Sequence, residues 1–239
     1  MTSAQTNDIL KFFESYCDFY FVENQVALID GRANEIVLLY LKELEKILFQ
    51  HSISNLDNVK SASNIYVEEC KIDYGTHGYG TNCIFPDTVT DQNIIRAFED
   101  NDDELQTFFR LFFDAYELLS LAFTDDTHEI LLVEFNNTLA HLLIALSKPT
   151  NGNFDKNISR AKAHLFRGSL DAYKEIIAYE VYRDDRENYY IDPEIKKRLF
   201  TLRLEEITGV GASVSGKESI IEEYARIANE LINTTIPPE

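Results

Sequence analysis

The side chains best suited to chemistry are two histidines, His141 and His164, each set in a stretch of helical periodicity. Glu134, Asn137 and His141 follow one another at steps of three and four residues. Arg160, His164, Arg167, Asp171 and Lys174 do the same, beside an apolar stripe of Ala163, Phe166, Leu170, Tyr173 and Ile177. Such steps put side chains on one helix face. A histidine exchanges a proton near neutrality, and an arginine grips a phosphate through two parallel hydrogen bonds. A stripe holding His, two Arg and an Asp inside a bundle needs partners. The two stripes therefore predict a polar groove between successive helices. The alternative is a solvent face on which Arg167 pairs with Asp171.

Two other patterns carry less. Gly211 to Lys217 fits the GxxxxGK spacing of a phosphate loop, but Glu218 stands where a magnesium-holding Ser or Thr is required. Ser215 and Glu218 instead fit a capping box that opens the last helix. Cys70, His77 and Cys83 match no paired ligand spacing and lack a fourth ligand, so no metal is expected. A cysteine nucleophile is equally unsupported.

The run Glu134-Phe-Asn136-Asn137-Thr-Leu-Ala-His141, followed by Ala161-Lys-Ala-His164-Leu-Phe-Arg167-Gly-Ser-Leu-Asp171, resembles the HEPN helical-bundle domains over about residues 100–185. In that family an Arg, a polar residue, three others and a His form an RNA-cleaving site across paired subunits. The resemblance maps His141 to the family's His and Asn137 to its polar position, and puts Asn136 where the Arg belongs. It implies a homodimer that has lost nuclease activity. Such members serve as binding or regulatory modules in bacterial defence and toxin–antitoxin systems. A protein partner or a nucleotide-containing ligand is the expected target, with no catalytic residues and no cofactor. The alternatives are an atypical metal-independent ribonuclease using His141, His164 and Arg167, and an acidic interaction protein with no small ligand.

The elements that must position these residues are helices. The 239 residues suit one large domain, and 45% hydrophobic content is too high for a disordered chain. Trp is absent, and 16 Phe and 13 Tyr supply the aromatic bulk. Periodicity predicts an all-α bundle of five or more helices. The segments are N-terminal helices over 1–60, possible division at Asp30-Gly31, a loop or hairpin insertion over 61–92, and a bundle over 93–239 packed with the N-terminal helices as one domain. Asn64–Val67 and Cys83–Phe85, flanking a glycine-rich stretch, are read as the paired strands of that hairpin. Lys148 to Asn153 is read as a helix stop, and Pro193 as a helix start.

Charge bears on partners. The net charge of −19 repels nucleic acid at long range, so no DNA partner is expected. Residues 1–147 hold 8 basic and 25 acidic side chains, whereas 148–239 hold 14 and 16, so an anionic ligand fits the C-terminal third best. MTSAQTNDIL lacks the basic and apolar regions of a signal peptide. Ile130–Leu146 carries Glu134, Asn136, Asn137 and His141 and is read as too polar and too short for a membrane span. With three cysteines and no framework among them, a reduced, cytoplasmic protein is expected.

Asn136 supplies no cation to a phosphate transition state, and losing one such contact typically costs about 10²–10³ in rate. Purified protein incubated with structured and single-stranded RNA in EDTA is therefore expected to leave both intact. Cleavage that disappears in both His141→Ala and Arg167→Ala would show that the neighbouring helix has rebuilt the site.

Overall fold

The structure, a computed structural model, describes residues 2–26, 31–50, 55–74, 89–99, 104–123, 128–182, 191–209 and 213–234. These form α1 (Ser3–Val26), α2 (Ala33–Glu45) with a π-helical turn (Lys46–Gln50), α3 (Leu56–Tyr74), α4 (Asp91–Phe98), α5 (Glu104–Ala122), α6 (Glu129–Ser147), α7 (Asn151–Tyr182), α8 (Pro193–Thr208) and α9 (Glu218–Thr234). The fold is all-helical, and no strand occurs among the described residues.

Asn64–Val67, expected as a strand, lies inside α3. Val59, Ser63, Tyr66, Val67 and Cys70 are all buried, and their spacing is that of one helix face. Four residues are too short a window to show that period. Cys83–Phe85 lies outside the described residues. The segment 61–74 is thus neither loop nor hairpin but the continuation of a helix.

Other boundaries follow local chemistry. α1 ends before Asp30-Gly31 and α2 begins after it. The expected stop at Lys148–Asn153 shrinks to 148–150, because Gly152 and Asn153 lie in the first turn of α7. There Asn153 donates through Nδ2 to the Lys148 carbonyl at 2.8 Å. α8 does start at Pro193, where the Asp192 carboxylate accepts from the Glu194 amide at 2.8 Å. α9 starts at Glu218, so Ser215 is not its cap. Ser215 and Gly216 instead sit in a turn closed by the Lys217 amide on the Val214 carbonyl at 3.1 Å. Gly216 has φ +76°, the conformation that the third position of a type II turn requires.

The chain divides into two compact units, Met1–Gln106 with Phe135–Ala161, and Thr107–Glu134 with Lys162–Glu239. In the first unit α1 packs against α2, α3 and α4. Phe12, Tyr16 and Phe19 of α1 surround Tyr40 of α2, with ring centroids 5.3 to 5.6 Å from it, and Phe19 also meets Tyr66 of α3 at 5.5 Å. Tyr16 is fully buried, so its hydroxyl must find an acceptor. It donates to Asn136 Oδ1 at 2.6 Å and lies 3.1 Å from the Asn136 carbonyl. The Asn136 amide also hydrogen-bonds Glu23. Burial pushes the Glu23 carboxyl above its usual range, and this bond opposes the shift. Burial likewise raises Tyr16, with the Glu23 charge adding to it.

In the second unit Phe108, Phe109, Phe112 and Leu119 of α5 are buried with Leu165, Phe166, Leu170, Tyr173 and Ile176 of α7. α8 packs on α9. Arg198 joins them, donating to Glu223 at 2.8 Å and Glu230 at 2.6 Å.

By length and composition α6 is long and apolar enough to cross a membrane, contrary to the expectation from its polar residues. Half of that stretch is buried inside the protein, as in a core helix.

Replacing Asn136 by Ala removes the acceptor of a buried hydroxyl and the donor to a buried carboxyl. Each buried polar group left unsatisfied costs about 1–3 kcal/mol. Urea unfolding should show Asn136→Ala less stable by about 2–4 kcal/mol, and Tyr16→Phe by less. Equal stability of Asn136→Ala and wild type would remove the structural role.

Candidate functional site

The expected meeting of polar stripes takes place in the second unit between Glu134 of α6 and His164 and Arg167 of α7. Glu134 Oε2 lies 2.5 Å from His164 Nδ1 and 3.2 Å from Arg167 Nη2. Arg167 Nη2 is also 2.6 Å from His164 Nδ1. One Nδ1 proton cannot serve both contacts. If Nδ1 accepted from Arg167, its lone pair would face a carboxylate oxygen at 2.5 Å. Nδ1–H is assigned as the donor to Glu134 and Arg167 donates to the same oxygen, so the 2.6 Å approach of Arg167 to Nδ1 brings two donors together on one shared acceptor and is not itself a hydrogen bond.

Gly168 makes this approach possible. An added methyl there would run into the buried Phe112 ring and stand 3.3 Å from Glu134 Cβ. The side chains of Glu134 and His164 are 18% and 16% exposed, while that of Arg167 is 52% exposed. Two members are thus largely withdrawn from water and the third faces it. Burial pushes the Glu134 carboxyl up, but hydrogen bonds and charge from His164 and Arg167 outweigh it, and the net shift is below the usual carboxylate value.

Arg167 also borders a cavity of about 440 Å³. α7 supplies Ala163, Phe166, Leu170, Asp171 and Lys174 to it, the end of α8 supplies Glu205, Glu206 and Gly209, and the segment entering α9 supplies Val214, Lys217 and Ile220. An apolar wall with a few converging polar groups is the usual make-up of a small-ligand site. Glu206 fixes the wall. It accepts from Lys174 at 2.5 Å, Arg203 at 2.8 Å and Tyr224 at 2.9 Å, joining three helices. Burial raises its carboxyl, and these three donors bring it below the usual range. Asp171 is raised, because burial and the charges of Glu134 and Glu206 together exceed the effect of Lys174 and Arg167.

The other expected groove residues separate. His141 pairs through Nδ1 with Asn157 Oδ1 at 2.9 Å, and both belong to the first unit. Asn136 is buried on Tyr16 and so is no groove residue. It lies one step off the Glu134–Asn137–His141 stripe, a 100° rotation that turns it inward. Asn137 is half-buried and Arg160 is exposed. The Arg167–Asp171 pair of the alternative solvent-face reading does not occur among the described ion pairs. Arg167 goes to Glu134, and Asp171 lies 3.9 Å from Lys174.

The sequence reading missed Lys217 and Glu206. Lys217 sat in a segment set aside with the phosphate-loop match. The usable signal was the glycine before it, which marks a tight turn aiming the next side chain. Glu206 had no local signal, since its partners are brought together only by packing. Among the described residues no three His, Cys, Asp or Glu side chains are grouped to hold a metal ion. Of the three metal candidates only Cys70 is described, and it is buried.

A carboxyl held below its usual value stabilises the fold above its unfolded value, and that stability is lost as pH falls through the folded value. Glu134 and Glu206 both have this sign. Thermal unfolding from pH 7 downward should show wild type losing stability below about pH 4.3. Glu134→Gln and Glu206→Gln should each start less stable and lose less across that acid limb. Parallel curves for wild type and Glu134→Gln would contradict the pairing.

The chain matches no protein-family model, no curated protein and no solved structure.

Proposed function

We propose that the chain is a non-catalytic, HEPN-like binding module, homodimeric and regulatory, of the kind used in bacterial defence and toxin–antitoxin systems. Its ligand is a nucleotide-containing small molecule held in the cavity among α7, α8 and α9. That cavity, with its apolar wall and charged rim, is the observation that carries the reading. Its volume of about 440 Å³ falls within the range of small-ligand sites. The buried amide of Asn136 supports the absence of catalysis at the family position, because it is engaged by Tyr16 and Glu23 rather than presented to a substrate.

The cluster of Glu134, His164 and Arg167 favours a second reading, a ribonuclease with an imidazole as general base and a guanidinium on the phosphate. The cleavage assay above decides between the two.

Binding is tested on protein purified from cells. Denatured samples are searched for released nucleotide, and the emptied protein is titrated calorimetrically with nucleosides and nucleotides. Leu170→Trp, which fills the cavity from α7, should abolish binding while circular dichroism stays that of a helical protein. Unchanged affinity in this variant would exclude the cavity.

A further inference from the structure

We propose that Lys217 is the anion anchor of this cavity, and that the cavity takes one phosphate monoester head group, as in a nucleoside monophosphate, in preference to di- and triphosphates or RNA. This rests on the reading of the cavity as a ligand site.

The three cations of the wall are not equivalent. Arg167 is committed to Glu134 at 3.2 Å, and Lys174 to Glu206 at 2.5 Å. Lys217 meets no carboxylate among the described residues. Its Nζ donates to the Gly209 carbonyl at 3.0 Å. A main-chain carbonyl orients an ammonium without neutralising it, and two of its three donors are left over. Lys217 is half-buried, so its charge is screened less than a surface lysine's and draws an anion more strongly. The seat is specific. A methyl on Gly209 would stand 2.9 Å from Nζ, so glycine leaves the ammonium its place on the end of α8.

The body of the ligand meets Phe166, Leu170, Val214 and Ile220, an apolar wall suited to the flat face of a base. The number of phosphates is limited by what else borders the cavity. Asp171 and Glu205 add two acids: Asp171 only shares Lys174 with Glu206, at 3.9 Å, and Glu205 forms no ion pair among the described residues. Each further phosphate would add negative charge beside them, on a chain already at −19. One uncompensated cation offsets about half the charge of one phosphate head group, of roughly −2, and nothing remains for a second.

The test is calorimetric titration of the full chain with AMP, GMP, CMP and UMP, their nucleosides, their triphosphates and inorganic phosphate. At least one monophosphate should bind more tightly than both its nucleoside and its triphosphate. Lys217→Met should weaken that monophosphate about tenfold or more and leave the nucleoside unchanged. Lys217→Arg should keep the preference, which separates loss of charge from loss of fold, and Lys156→Met, in the other unit, should change nothing. Equal affinity for nucleoside and monophosphate, tighter binding of triphosphate, or an unaltered Lys217→Met variant would each overturn the anchor while leaving the cavity a ligand site. Failure of every nucleoside and nucleotide to bind would overturn both.

Discussion

Every polar side chain that a mostly apolar helix carries out of water has to find a partner, and on α6 this requirement organises what surrounds it. Glu134 is met by His164 and Arg167, Asn136 by Tyr16 and Glu23, Thr138 by the Ala161 carbonyl, and His141 by Asn157. An unpaired buried carboxyl or amide costs far more than a satisfied one gains. These pairs therefore fix which residues of α1 and α7 can stand beside α6, where leucine packing alone would accept many registers. The same pairing makes an unusually apolar helix a specific one.

The partners differ in what they leave over. Asn136 accepts from one side and donates to the other, and nothing remains for chemistry. Glu134 collects two donors on one oxygen, which fixes the tautomer of His164 and holds the guanidinium of Arg167 at the mouth of a cavity. Glu206 plays a comparable part on the far wall, where three donors hold it ionised and lock α7, α8 and α9 together. Two carboxyls thus serve mainly to place the cations around them. Lys217 is placed by a carbonyl, which orients its charge without neutralising it.

The helical period made much of this legible. The stripe from Arg160 to Lys174 and the stripe from Glu134 to His141 are visible in the spacing, and the meeting of Glu134 with His164 and Arg167 follows from two helices consecutive in the chain. The first strand of the expected hairpin is instead helix, because Ile65–Val67 is β-branched and aromatic over three residues, whereas its helical partners Val59 and Cys70 lie outside that window. Spacing alone did not show that Asn136 points inward, since one residue's rotation decides it. The cavity was hidden for a different reason. Its walls come from three successive helices, and no period or motif links Leu170 to Glu206 or Ile220.

Gly168 has a consequence for descent rather than for chemistry. Any side chain there would strike Phe112 and crowd Glu134, so a chain that keeps the arrangement must keep the smallest residue beside its arginine. The arrangement therefore has a written form: a glutamate on one helix, then on the next a histidine, two buried apolar residues, an arginine and a glycine. Diverging copies are free to change surface charges outside this contact, yet they drift along this pattern only by abandoning the contact it describes.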